Sequence, residues 1–271
     1  ASGWHLSGGA TTSLLASLLT LVDSFCIWWY DAGEGNAAAT GLMALVTPLL
    51  MSEPAPPSNL ARAAAILFRK TITVCKPSEP LSIEPLRQLL ENYSVLSDRL
   101  DSQARDQLAT GCGAALLMVD ETTSSSHYNE FITQLCTPVF NLDDLTRTKD
   151  ALNVACVLCE AATGAAQSER KRVSVALEPV LAHCLVILPQ LLSEPVVASS
   201  AVQLIAIATD ALRGVLDSAF ATAAANTLLS VFGDASVLQQ LIEATGVTAT
   251  LLIHLLNLLT RVASEPKAAK D

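Results

Sequence analysis

The stretch LARAAAILFRKTITVCKPSEPLSIEPLRQLLENY, residues 60–93, decides the fold. Its first sixteen residues are dominated by Ala, Leu and other apolar side chains, and Ala and Leu are the strongest helix formers. Lys76-Pro-Ser-Glu-Pro80 then interrupts the run. Proline cannot continue a helix from behind, and the serine before it can cap a new start. A second apolar run follows from Ile83 to Leu96. The same Ser-Glu-Pro punctuation recurs at Ser52–Pro54, Ser193–Pro195 and Ser264–Pro266, each time beside a long helix-forming stretch. The chain therefore reads as a string of helices with short breaks. A helical repeat array of that kind works by surface and shape.

Working outward from this stretch, twelve helices are expected. They cover Thr12 to Trp29, Ala37 to Met51, Ser58 to Cys75, Ile83 to Leu96, Asp101 to Val119 and Tyr128 to Val139. The later ones cover Thr146 to Ala162, Arg170 to Leu192, Val196 to Leu216, Ser218 to Phe232, Ser236 to Ala244 and Val247 to Val262. Ser58 or Asn59 and Asp101 are the expected caps of the third and fifth helices. Residues 120–126 read as a polar loop, and Pro179 and Pro189 should kink or break the eighth helix. In the fifth, Ala104, Leu108, Cys112, Ala115 and Val119 fall on one face. Gly111 and Gly113 weaken that helix intrinsically, so another backbone should pass close there. In the seventh, Ala151, Leu152, Ala155, Cys156 and Cys159 point inward.

Paired in order, the helices make about six units of roughly 40–47 residues, the HEAT/armadillo period. The expected class is all-α, an α-solenoid of antiparallel helix pairs whose neighbours bury one another. Residues 1–271 form one such segment, expected to be part of a longer chain, with a frayed polar tail at 263–271.

Composition agrees. Of 271 residues, 51% are hydrophobic and only 4% aromatic, which suits helices buried on two sides and not strands. The mean hydropathy of +0.43 raises membrane insertion as a question. The candidates Ser13–Tyr30, Ala176–Leu192 and Val247–Leu259 each carry polar groups: Asp23; Glu178 and His183; His254 and Asn257. No insertion is expected from them. A net charge of −10 argues against direct nucleic-acid binding and suits a basic partner.

From residue 36 to 160 the chain resembles the importin-β superfamily of nuclear transport receptors, in the branch of transportin-SR and importin thirteen. The resemblance is carried by residues 60–75 and 83–93 quoted above, by QLATGCGAALLM at 107–118 and by FITQLCTPV at 131–139. It implies a karyopherin segment that carries protein cargo between cytoplasm and nucleus, most simply in import. It also implies Ran-GTP and nucleoporins as partners of the full-length protein. In such receptors the Ran-GTP site lies largely in the amino-terminal repeats. Transportin-SR reads phosphorylated Arg-Ser cargo with an arginine-rich helix. The nearest equivalent here, Val196–Val215, holds Arg213 alone, a departure from that pattern. The rival expectation is a HEAT scaffold or regulatory subunit with no transport role.

Candidate chemistry is sparse. Glu84 and Glu91 lie seven residues apart on one helix face, with Arg87 able to pair with both. Extended by Glu130, Asp143, Asp144 and Glu178, they form the candidate acidic stripe for a basic cargo segment. Cys156-x-x-Cys159, with His183 and Cys184, has the donor types of a zinc site, but both cysteines lie on an apolar stripe and no second pair exists. The seven cysteines are expected to be reduced thiols packed as small hydrophobes. Ser124-Ser-Ser-His127 lacks the third group and rigid scaffold of a triad. Asp31-Ala-Gly-Glu-Gly35 lacks the lysine and preceding strand of a phosphate loop. His183 and His254 read as packed, hydrogen-bonded histidines, and Trp28-Trp29-Tyr30 as a wedge against the next repeat, with an exposed hydrophobic anchor for a peptide as the alternative. No enzyme activity, cofactor or metal is expected.

Overall fold

Long Ala/Leu runs cut by proline give helices and nothing else. The structure is a computed structural model that describes residues 9–119, 121–232 and 239. Among these residues there are α-helices, two 3-10 turns and no strand. The chain is all-α. The helices are α1 (Gly9–Asp23), α2 (Cys26–Asp31), α3 (Gly35–Leu50), α4 (Ser58–Cys75), α5 (Glu84–Glu91) and α6 (Tyr93–Arg99). They continue with α7 (Ser102–Met118), α8 (Glu121–Phe140), α9 (Leu145–Ala161), α10 (Gln167–Ile187), α11 (Pro195–Ala211) and α12 (Ser218–Phe232). The 3-10 turns are Pro80–Ser82 and Leu191–Ser193.

Several expectations need correction. The first expected helix breaks after Asp23 into α1 and α2, and the fourth breaks at Asn92 into α5 and α6. Residues 121–126 are the first turns of α8 and not a loop, since a polar Thr/Ser run can be helical when a following apolar face is docked. Pro179 does not break α10, which runs through it, and the expected break at Pro189 is present, the helix stopping at Ile187. Among the described residues the Ser-Glu-Pro serines do not cap with their side chains. Proline instead occupies the first helical position of α11 and of the 3-10 turn at Pro80, where its missing N–H costs nothing. At the start of α4 the N-cap is Pro57, which has no capping side chain, while Asn59 Oδ1 accepts from the first-turn Leu60 N–H at 2.9 Å. Asp101 caps α7, its carboxylate accepting from the Ala104 N–H at 3.0 Å. Apart from Gln239, the expected helices at 236–244 and 247–262, the fourth Ser-Glu-Pro, His254 and the tail lie outside the described residues.

The chain divides into two compact units, Ala1–Tyr128 and Asn129–Asp271. In the first, α4 is the centre and packs against α1, α2, α3 and α7. Leu60, Ala64, Ala65, Leu67, Phe68 and Ile72 are fully buried. Side-chain contacts fix the directions. Arg62 reaches Asp101 at 2.9 Å and Arg69 reaches Gln107 at 2.6 Å, so α4 and α7 run the same way. Lys70 reaches Asp23 at 2.7 Å, and the Cys75 thiol lies 3.9 Å from the Cys26 carbonyl, so α1–α2 and α4 also run the same way. By contrast α3 opposes α4, because Asn36 at its start bonds Ser78 just past the end of α4. Thr47 donates to the Pro85 carbonyl and Arg99 to the Ser52 carbonyl, which sets α3 alongside α5 and α6.

The interhelix contacts just named between like-directed helices join residues 38 to 49 apart in sequence. Two glycines let the helices approach. A Cβ at Gly111 would collide with the Phe68 ring and lie 3.2 Å from the Arg69 Cα, and one at Gly35 would lie 2.5 Å from the Cys75 carbonyl oxygen. The expected close approach at Gly111 is therefore observed.

In the second unit α9 packs on α11, and α10 packs on α11 and α12. Arg170 at the start of α10 donates to the Arg213 carbonyl, and Ser174 to the Val215 carbonyl, so α10 opposes α11. These bonds span 43 and 41 residues. The inward residues expected for α9, Ala151, Leu152, Ala155, Cys156 and Cys159, are all buried.

Candidate functional site

The six acidic candidates are surface residues, and half of them already have work within their own helix. On α5, Arg87 pairs with both Glu84 and Glu91, the second at 3.9 Å. Gln88 also donates to Glu84 at 3.2 Å. These are exposed i,i+3 and i,i+4 contacts, each worth a few tenths of a kcal/mol. Asp144 caps α9, accepting from the Thr146 and Arg147 N–H groups at 3.0 and 3.1 Å, and its other oxygen lies 3.7 Å from Arg147. Glu130, Asp143 and Glu178 are exposed. Glu84 and Glu91 share one edge of α5 in the first unit, and the other four belong to the second. The contacts within each unit bring Glu84 and Glu91 together, and Asp143 is adjacent to Asp144 in the chain.

The cysteines are all free thiols and all buried. Burial pushes the Cys159 thiol up to about 12, with the Glu160 carboxylate adding to it, and pushes Cys184 up to about 12. Cys112 and Cys136 are raised further by the same desolvation. Cys184 and Cys159 both bear on Cys136, so the three thiols are neighbours in the second unit. In the first unit Cys75 is raised to about 11, by burial and then by Cys26. Thiols held this far above neutral pH stay protonated and are poor nucleophiles and poor metal ligands. Among the described residues no group of three or more His, Cys, Asp or Glu is placed to hold a metal ion.

The remaining motifs lie on helices or in the turns between them. His127 is an exposed residue of α8, and His183 lies against the Phe140 ring with centroids 4.9 Å apart. Asp31-Ala-Gly-Glu-Gly35 is the turn from α2 to α3, where Gly35 meets the end of α4. The aromatic wedge is a correction. Trp28 is 73% exposed and Tyr30 is exposed too, because α2 breaks away from α1 and buries only Cys26. Phe25 packs edge-on to Trp28 at 6.4 Å and lies 6.3 Å from Trp29, so these rings contact one another. Sequence reading weighed exposure at Trp28-Trp29-Tyr30 alone and missed the stripe that runs back from Trp28 through Phe25, Leu21, Leu18 and Leu14.

Compared with known proteins, the chain matches no family model, no curated protein and no solved structure.

Proposed function

We propose that this chain is a non-enzymatic protein-binding segment, a HEAT-type α-solenoid of a nuclear transport receptor that holds protein cargo under Ran-GTP control. One observation carries the architecture. Like-directed helices of the first unit are in contact at separations of 38 to 49 residues, around the spacing of successive two-helix repeats. Neighbour-only packing of that kind lets small inter-repeat rotations add into a change of curvature. Cargo bound in one curvature is then released when a second ligand favours another. The transport role rests on the resemblance at residues 36–160. The buried, protonated thiols fit a role without covalent chemistry.

Within this reading the acidic residues Glu84, Glu91, Glu130, Asp143, Asp144 and Glu178 receive a basic cargo segment. The ties of Glu84 and Glu91 to Arg87 and of Asp144 to its own helix weaken that part and favour, as the second reading, a scaffold whose partner is held by apolar contacts. A pull-down of the full-length protein with GTP-locked Ran separates the two. Release of bound protein on adding Ran-GTP supports the receptor, and no Ran binding at any salt concentration supports the scaffold. Glu84→Lys with Glu91→Lys should weaken a basic cargo without unfolding the chain, and an unchanged affinity would remove the acidic stripe.

A further inference from the structure

The face of α1–α2 opposite its buried residues is apolar along its length. Leu14, Leu18, Leu21, Phe25 and Trp28 are all exposed, Leu14 at 62% and Leu21 at 55%. Their spacing is 4-3-4-3, the seam of two helices packed along one another. The stripe survives the break between α1 and α2. Ser24 and Phe25 donate to carbonyls three residues back at 3.0 Å, and Trp29 donates to Phe25 at 3.2 Å, so the backbone stays coiled through the join. Thr12, Leu19 and Cys26 are buried on the other side, where Asp23 and Cys26 meet α4.

Side-chain size and exposure give the five residues on the order of 500 Å² of apolar surface. That lies near the top of the 300–600 Å² or so that a monomer ordinarily exposes in one patch. A standard interface takes about 800 Å² from each partner, about 65% of it apolar in homodimers. The stripe supplies that apolar share, and exposed Thr11, Ser17 and Ser24 supply a polar rim.

We propose that this stripe pairs two copies of the chain, antiparallel, about a two-fold axis at Leu21. In that register Leu14 meets Trp28 of the second copy and Leu18 meets its Phe25, so a smaller side chain faces each larger one. Parallel pairing would instead set Trp28 on Trp28 and leave leucine opposite leucine. The stripe carries no charge, so self-pairing brings no like charges together. An isologous contact of this kind closes at two copies.

A membrane is the competing occupant, because Thr11–Asp31 is long and apolar enough to cross one by length and composition. Two features count against it. Asp23 is held by Lys70 of α4 at 2.7 Å, and spanning would strip that pair apart. Nor do α1 and α2 contain any Lys or Arg of the kind that fastens an amphipathic helix to a lipid surface.

The test is sedimentation velocity of the whole chain in detergent-free buffer, up to about 100 µM. The expected species has twice the 28.5 kDa chain mass. Leu18→Glu with Trp28→Ser should weaken the dimer roughly 100-fold while helical content and the unfolding midpoint hold, since both side chains are exposed. Leu21→Cys should cross-link to itself under mild oxidation, and Leu14→Cys should not. A monomer throughout, a dimer indifferent to the double substitution, or cross-linking at Leu14 instead of Leu21 would overturn the proposal. So would flotation of the chain with phosphatidylcholine vesicles through this stripe, which would assign it to a bilayer.

Discussion

Helix α4 and the pair α1–α2 are built from similar residues and end in different surroundings. Both are Ala/Leu-rich, both have an ion-pairing residue on the flank they share, and both run in the same direction. Yet α4 is enclosed by α1, α2, α3 and α7, and α1–α2 is enclosed on one side only. The difference teaches that apolar composition marks a surface to be covered and does not say what covers it. In α4 the covering helices come from the same unit: α3 just before it, and α1–α2 and α7 further off on either side in the chain. In α1–α2 the outer stripe has exposed aromatics where α4 meets the glycine of α7.

The comparison can be broken at four places. The largest effect should come from Phe68→Ala, which empties a fully buried site between α4 and α7 and should cost about 3–5 kcal/mol in chemical denaturation. A loss below about 1 kcal/mol would mean that this side chain is not enclosed. Next is Gly111→Ala. Alanine improves helix propensity by up to about 1 kcal/mol, but its Cβ would collide with the Phe68 ring, so a net loss of about 1–2 kcal/mol is expected. A stabilised variant would show that α4 and α7 do not approach here.

Third is Asp101, at the start of α7. Burial raises its carboxyl, but the Ala104 N–H and the Arg62 guanidinium outweigh that, and the folded value lies below the ordinary 3.8. A depressed carboxylate contributes stability above its unfolded value and loses it as pH falls through the folded one. Asp101→Ala should therefore cost about 1 kcal/mol at neutral pH and progressively less below pH 4. An equal cost at pH 7 and pH 2.5 would contradict the assignment. Smallest is Trp28→Ser, measured at a concentration where the chain is monomeric, which should change stability by no more than about 0.5 kcal/mol. A loss like that of Phe68→Ala would place Trp28 inside.

Much of the helix layout was legible because proline and local caps act within a few residues. Cys75 before Lys76-Pro77 ends α4 as expected, and Asp101 starts α7. The inward faces of α7 and α9 followed from 3.6-residue spacing, and the glycine contact at 111 followed from a glycine placed mid-helix. The joins at Ser24 and Asn92 were hidden, because nothing in either sequence forbids a continuous helix and tertiary packing decides it. The surface was read less well. One-dimensional charge spacing put Glu84 and Glu91 together correctly, and it also allowed Arg87 to bind both. A stripe at Leu14, Leu18, Leu21, Phe25 and Trp28 was in plain view, but apolar residues on two faces of one helix read as burial on both sides. Whether the second side is covered depends on distant segments that no local pattern encodes.

The central claim is that helices about one repeat apart lie side by side and point the same way. Spin labels at Asn59 and Ser102, the exposed starts of α4 and α7, test it directly by pulsed electron spin resonance, since the native thiols are buried. Parallel helices predict a short separation, below about 20 Å, with Asn59 to Met118 clearly longer, at least the length of α7, about 25 Å at 1.5 Å per residue. The reverse order, with Met118 near Asn59 and Ser102 far from it, would contradict the stacked two-helix repeat.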